Sequence, residues 1–270
     1  MADSATYLYA ITREKDRADP ERLAGVAGVA GAPVRAVPQA GLVAYVSTVP
    51  LAEFGEEPLR RSLEDLDWVG ETARAHHRVV ETVAMDAATA PVRLVTVYSG
   101  DAQVRAMLER RHEDLATVLA QVAGRREWGV KVYAHPARPA SPVGARAPES
   151  PEASGAGPGT AYLRRRKASL RGRDEAWREA AERAEHIHEA LADVAVATRR
   201  HRAQDPRLSG RDEWMLLNGA YLVDEDRRGE FAAAVEGLRE PGIDVEITGP
   251  WAPYSFTALE FAAPEDRDGG

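Results

Sequence analysis

His76 and His77 lie next to each other in a stretch of helical period with Glu71 and Glu81 nearby, and His77 and Glu81 have the i, i+4 spacing of a helix-borne metal pair. One pair does not make a metal site, because an ion held by protein needs three or four ligands. Neighbouring helix positions also diverge by about 100°, so at most one of the two rings can face a shared ligand. They are expected to be half-buried or interfacial helix histidines. His186 and His188, with Glu182, Glu185 and Glu189, repeat the pattern among charges of alternating sign, Arg178, Glu179 and Arg183, and read as a solvated polar face. Ser47, Ser99 and Ser255 lack the G-x-S-x-G turn that exposes a nucleophile. Gly25, Gly28 and Gly31 lack the spacing and the preceding strand of a dinucleotide loop, and are expected to make turns. No catalytic residue, cofactor site or metal site follows from these residues, and the chain is not expected to be an enzyme.

The residues that ask for a partner are aromatic. Gly249-Pro250-Trp251-Ala252-Pro253-Tyr254-Ser255-Phe256 carries three rings and two prolines directly after the alternating run Ile243–Ile247. Proline has no N–H for a ladder, so strand pairing stops here and leaves a stiff ledge bearing large rings. Trp251, Tyr254 and Phe256 are the candidate partner-binding residues. Proline on both sides of Trp251 is expected to turn its ring inward as a brace. Tyr254, with a polar tip suited to water, is expected to be the exposed anchor.

Composition narrows the setting. The 270 residues contain no cysteine, which excludes disulfides and thiolate chemistry and fits a reducing cytoplasm. The formal charge of −8 argues against general affinity for nucleic acid, and the basic run Arg164-Arg165-Arg166-Lys167 reads as a solvated helix face. Since 32 of the 35 basic residues are arginine and alanine is abundant, arginine here reflects a GC-rich coding bias rather than a binding function. No apolar run is long enough to cross a membrane, and no secretory leader is evident.

The elements that must carry these residues begin with β-rich runs at Thr6–Ile11, Val34–Val37 and Gly41–Val46. From Ser62 the period becomes helical, with Ser62–Asp65 resembling a capping box and Leu66, Val69, Ala73, His76, Val80 and Val83 on one side, ending near Asp86 to Thr89 ahead of Pro91. Pro91–Tyr98 is a strand. Ser99 or Asp101 caps a helix running to about Ala123, closed by Gly124, and Trp128–Tyr133 is again a strand. Residues 136–159 hold six prolines with Ala, Ser and Gly, too little to build a core, and are expected to be a disordered tether. A charged helical region from Thr160 to about His201, with Arg171-Gly172 as the point where a break is open, a strand at Trp214–Val223, a helix at Arg227–Leu238 and a strand at Ile243–Thr248 complete the chain. The expected fold is α+β in two domains. Residues 1–124 form an N-terminal α+β domain and residues 125–260 a C-terminal ferredoxin-like domain, interrupted by 136–159, with its helices packed on an antiparallel sheet. Residues 261–270 are a flexible tail.

Three segments, Ala90-Pro91-Val92-Arg93-Leu94-Val95-Thr96-Val97-Tyr98, Glu127-Trp128-Gly129-Val130-Lys131-Val132-Tyr133 and Gly249–Phe256, stand in the order and at the separations of the gas vesicle protein family GvpF/GvpL, which the chain resembles over nearly its whole length. Tyr7-Leu8-Tyr9-Ala10 and Asn218–Val223 fit as well. Leu94-Val95 departs from the Phe-Gly that members commonly carry, and the Pro/Ala-rich insert is long. The resemblance implies a two-domain, non-enzymatic accessory protein for the assembly of gas vesicles, in the cytoplasm and at the vesicle. It implies binding to the small hydrophobic main shell protein, at nucleation or as a minor shell component, and to other gas vesicle accessory proteins, with no nucleic acid or membrane partner. The alternative is a ligand-binding or regulatory ferredoxin-like protein without catalytic activity, whose mark would be an enclosed pocket with convergent polar groups.

Overall fold

A continuous apolar run at the start of the chain dictates a strand covered on both faces, and the computed structural model, which describes residues 4–134, 158–203 and 213–257, shows why. Strand β1, Ser4–Arg13, lies inside a four-stranded sheet with β2, Arg35–Gln39, β3, Leu42–Pro50, and β4, Ala90–Tyr98, in the order β2-β3-β1-β4. All three pairings are antiparallel. Tyr7, Tyr9, Val43 and Tyr45 turn to one face, beneath the 21-residue helix α4, Leu66–Asp86. Leu8, Ile11, Ala44 and Val46 turn to the other, where Val104, Leu108, Leu115 and Leu119 of α5, Asp101–Arg110, and α6, His112–Val122, cover them. Side chains that alternate between two buried faces must all be apolar, hence the unbroken run. Three short helices, α1, Pro20–Ala24, α2, Leu51–Phe54, and α3, Glu56–Ser62, lie in the connections.

Local chemistry departs from expectation at three points. Asp65, not Ser62, caps α4, its carboxylate accepting from the N–H groups of Asp67 and Trp68 at 2.9 and 3.3 Å. Ser62 instead ends α3, and Leu66 is 84% exposed because the buried stripe starts a turn and a half later, at Thr72. The expected single helix after β4 is two, α5 and α6, parted at Arg111, and neither Ser99 nor Asp101 supplies a side-chain cap. The carboxylate of Asp101 is engaged elsewhere, in a bidentate pair with Arg35 at 2.6 and 2.7 Å and a bond from Thr6. Gly124, at φ +69°, follows α6 in the left-handed conformation that favours glycine.

The second unit runs from Trp128 to Thr248. Its strands β5, Arg125–Ala134, β6, Ala197–Arg200, β7, Trp214–Asp224, and β8, Ile243–Trp251, take the order β6-β7-β5-β8, and α7, Pro158–Ala192, and α8, Arg228–Gly237, supply the helices of a ferredoxin-like β-α-β-β-α-β chain. Its core joins Val130, Val132, Ile187, Leu191, Tyr221, Phe231 and Val245. The sheet of the first unit has the same strand order relative to its own sequence. The helical region expected up to His201 ends at Ala192, is unbroken at Arg171-Gly172, and yields its last residues to β6. Pro158 and Gly159, expected in the tether, open α7. The rest of that tether and the tail 261–270 lie outside the described residues.

One feature of the division differs from the boundaries at 124 and 260. Among the described residues, 249–257 belong to the first unit, not to the domain that the preceding strand builds. Strand β8 does not stop at Thr248 as expected but runs through Pro250 to Trp251, and beyond it the backbone donors of Ala252 and Ser255 find carboxylates of the first unit, as described next.

Candidate functional site

The periodicity that makes α4 a helix places His76 on its inward face, where it is 3% exposed among apolar neighbours. The Val95 N–H donates to the Tyr7 hydroxyl at 3.0 Å, so the Tyr7 O–H is free to donate to His76 Nδ1, also at 3.0 Å. The neutral ring then carries its own proton on Nε2. Burial pushes the ring's pKa down to about 4, with the Val92 backbone opposing in part, and Nε2 makes no hydrogen bond of normal geometry. Burial likewise raises the Tyr7 hydroxyl. The relay depends on a bulge in β4. Leu8 stands opposite Thr96 but Ala10 opposite Pro91, so four residues, 92–95, face Tyr9 alone. Val95 closes that bulge at φ +63°, a conformation that costs a β-branched residue about 1–2 kcal/mol.

The aromatic ledge lies across this helix. The backbone N–H of Ala252 donates to Glu81 at 2.9 Å. Ser255 donates from both its N–H, at 2.7 Å, and its hydroxyl, at 2.6 Å, to the two oxygens of the buried carboxylate of Glu127. Thr257 reaches the Pro91 carbonyl at 3.3 Å. Charge-assisted bonds of this kind are shorter and stronger than neutral ones, and together they make the segment a pinned strap.

The strap orients its rings opposite to expectation. Trp251 is the exposed ring, 39% accessible and edge-on to His77 at 5.3 Å, while Tyr254 is half-buried between His76 and His77, 6.4 Å from each ring centre. Burial, with Glu81 adding to it, raises the Tyr254 hydroxyl. The reason is the pinning: with Ala252 and Ser255 both bonded toward the protein, the intervening turn points Tyr254 inward and leaves Trp251 at the rim. Phe256 is half-buried in the single 3-10 turn that follows.

The remaining candidates are placed elsewhere. His77 and Glu81 do not converge on a shared ligand, since Glu81 holds the strap. His188 is not on a solvated face: its Nδ1 meets the Tyr221 hydroxyl at 2.8 Å, and burial lowers its pKa. Ser47 is buried, donating to the Pro33 carbonyl and accepting from Tyr9. Gly28 is needed for close approach, since a Cβ there would lie 2.3 Å from the Tyr9 hydroxyl. Among the described residues no group of three or more His, Asp or Glu is arranged to hold a metal ion. Glu81 drew attention in the sequence only as a possible metal partner of His77, and Glu127 only as part of a family motif, neither as a holder of the strap. Their one signal is a carboxylate at an otherwise apolar position of a helix or a strand.

Two α+β units with matching strand orders, joined through a final strand whose end returns to the first unit as a pinned aromatic strap, define a class of two-domain fold with solved representatives. GvpF from Anabaena sp. PCC7120 superposes with a TM-score of 0.63 at 18% identity over 95% of this chain and 97% of that one. GvpF from Microcystis aeruginosa gives 0.62 at 18%, over 94% and 99%. The family model described as gas vesicle synthesis protein GvpL/GvpF matches residues 5–258. Gas vesicle protein L of Streptomyces sp. (strain CB03234) is 43% identical over 257 residues, 95% of this chain and 94% of that protein. Gas vesicle protein F of the same strain is 30% identical over 93% and 99%. The chain belongs to the GvpL/GvpF family, and its role lies in gas vesicle formation.

Proposed function

We propose that the chain acts as a non-enzymatic assembly factor that binds the hydrophobic main shell protein, at nucleation or as a minor shell component, and that Trp251 is the anchor of that contact. The observation that carries the reading is the exposed indole of Trp251. A large ring is held at the rim by a backbone that proline restricts on both sides and that Glu81 and Glu127 fix just beyond it. A rigid, exposed aromatic loses little entropy on binding and buries a large apolar area, the usual properties of a binding hot spot. Tyr254 and Phe256 support the strap from beneath, and His77 backs the indole. Membership of a gas vesicle family makes the hydrophobic main shell protein the occupant that this reading assigns to the ring. Among the described residues no helix is long and apolar enough to cross a membrane. The test is co-expression of the tagged full chain with the main shell protein, followed by affinity purification. Recovery of the shell protein in stoichiometric amount is the expected result, and its absence from the eluate contradicts the proposal.

A further inference from the structure

The second unit carries a groove unrelated to the strap. It lies between α7 and the end of α8 and has a volume of about 320 Å³. Its floor is Ile187 and Ile243, both nearly buried, with Leu238 half-exposed beside them. Helical spacing brings Glu179, Glu182 and His186 to one wall, at i, i+3 and i+7, and Glu240 forms the other. Arg183 spans the opening to Glu240 at 3.9 Å, so a guanidinium already sits against one of the three carboxylates. Glu179 and Glu182 have no ion-pair partner among the described residues. An apolar floor under two uncompensated carboxylates matches a side chain with an apolar stem and a cationic head, which is how arginine and lysine cover apolar surface while keeping their charge in water. The volume admits one such side chain with one neighbouring apolar group.

We infer that this groove docks a basic segment of a partner protein, one arginine or lysine seated between Glu179 and Glu182 with an adjacent apolar residue on Ile187, Leu238 and Ile243. This partner contact is separate from the Trp251 surface and does not rest on the shell-protein reading. Charge complementarity of this kind sets partner choice and association rate, and it weakens with salt.

The test uses the full chain and short overlapping fluorescent peptides that tile the other gas vesicle proteins of the producing cell, read by anisotropy. The expected result is that the bound peptides are basic, that their affinity falls with added salt, and that Glu179→Lys with Glu182→Lys weakens them at least about tenfold. Both positions are exposed, so the double variant should fold, which circular dichroism checks. The control is Glu56→Lys with Glu64→Lys, an equal change in charge at exposed positions of the first unit, and it should leave binding within about twofold. Equal weakening by both pairs, binding unchanged by the groove pair, or no basic peptide bound overturns the inference.

Discussion

Acid should destabilise the first unit through one residue, His76. The ring has an ordinary pKa of 6.5, and burial holds it near 4 in the folded protein. Between those values the unfolded chain binds a proton that the folded chain does not, so stability rises with pH through this window. The contribution is complete above about pH 6.5, is lost progressively as pH falls towards 4, and changes no further below that. The gap from 6.5 to about 4, at about 1.4 kcal/mol for each pH step, comes to about 3.5 kcal/mol in full, of which about 3 kcal/mol is lost between pH 7 and pH 4. His188 acts in the same direction in the second unit but is only partly buried and contributes less. The carboxyl of Asp101, held below the usual range by hydrogen bonds from Arg35, loses its contribution only at lower pH. The perturbation is His76→Asn, which keeps an acceptor for the Tyr7 hydroxyl and removes the titration. Urea unfolding followed by circular dichroism at pH 7, 5.5 and 4 is the assay. The parent should lose about 3 kcal/mol across the series and the variant markedly less. Parallel losses in the two proteins would refute the assignment of His76 as a buried neutral ring.

Three further outcomes follow from the same contacts. Glu127→Ala removes the acceptor of both Ser255 donors and should cost about 2–3 kcal/mol, with faster hydrogen exchange and proteolysis confined at first to the strap. Gly28→Ala should cost about 3 kcal/mol by thermal melting, because the new Cβ collides with the Tyr9 and Ser47 oxygens at 2.3 and 2.7 Å, neither of which can move without giving up a buried bond. Val95→Gly trades lost packing and added chain entropy against relief of the φ +63° conformation, and should change stability by less than about 1 kcal/mol. The same change at Val92, fully buried in the second core of that unit, should cost at least about 2 kcal/mol.

The parts of this fold with a period were legible. The apolar run Tyr7–Ile11, the stripe of α4 and the alternation of Ile243–Ile247 each follow from one geometric repeat, and their order leads to two α+β units. Strand β6 was hidden because Ala197-Thr198-Arg199-Arg200 presents exposed charge along an edge, which prevents edge-to-edge pairing but erases alternation. The bulge at 92–95 was hidden because its driving force is a bond from Val95 to Tyr7, 88 residues away in sequence. For the same reason the ring orientations came out reversed. Proline at 250 and 253 restricts the backbone around Trp251–Tyr254, yet which ring points inward depends on Glu81 and Glu127, 171 and 128 residues away from the donors they hold. Prolines act locally, and distant carboxylates set direction.

The central claim is that an exposed indole on a pinned strap holds the shell protein. It is tested most directly by titrating the purified full chain and its Trp251→Ala variant against the main shell protein, with thermal melting of both. Since Trp251 is exposed and outside both cores of its unit, the variant should melt within a few degrees of the parent while its affinity falls by about 2 kcal/mol or more, roughly thirtyfold. A normally folded variant that binds the shell protein as tightly as the parent contradicts the account.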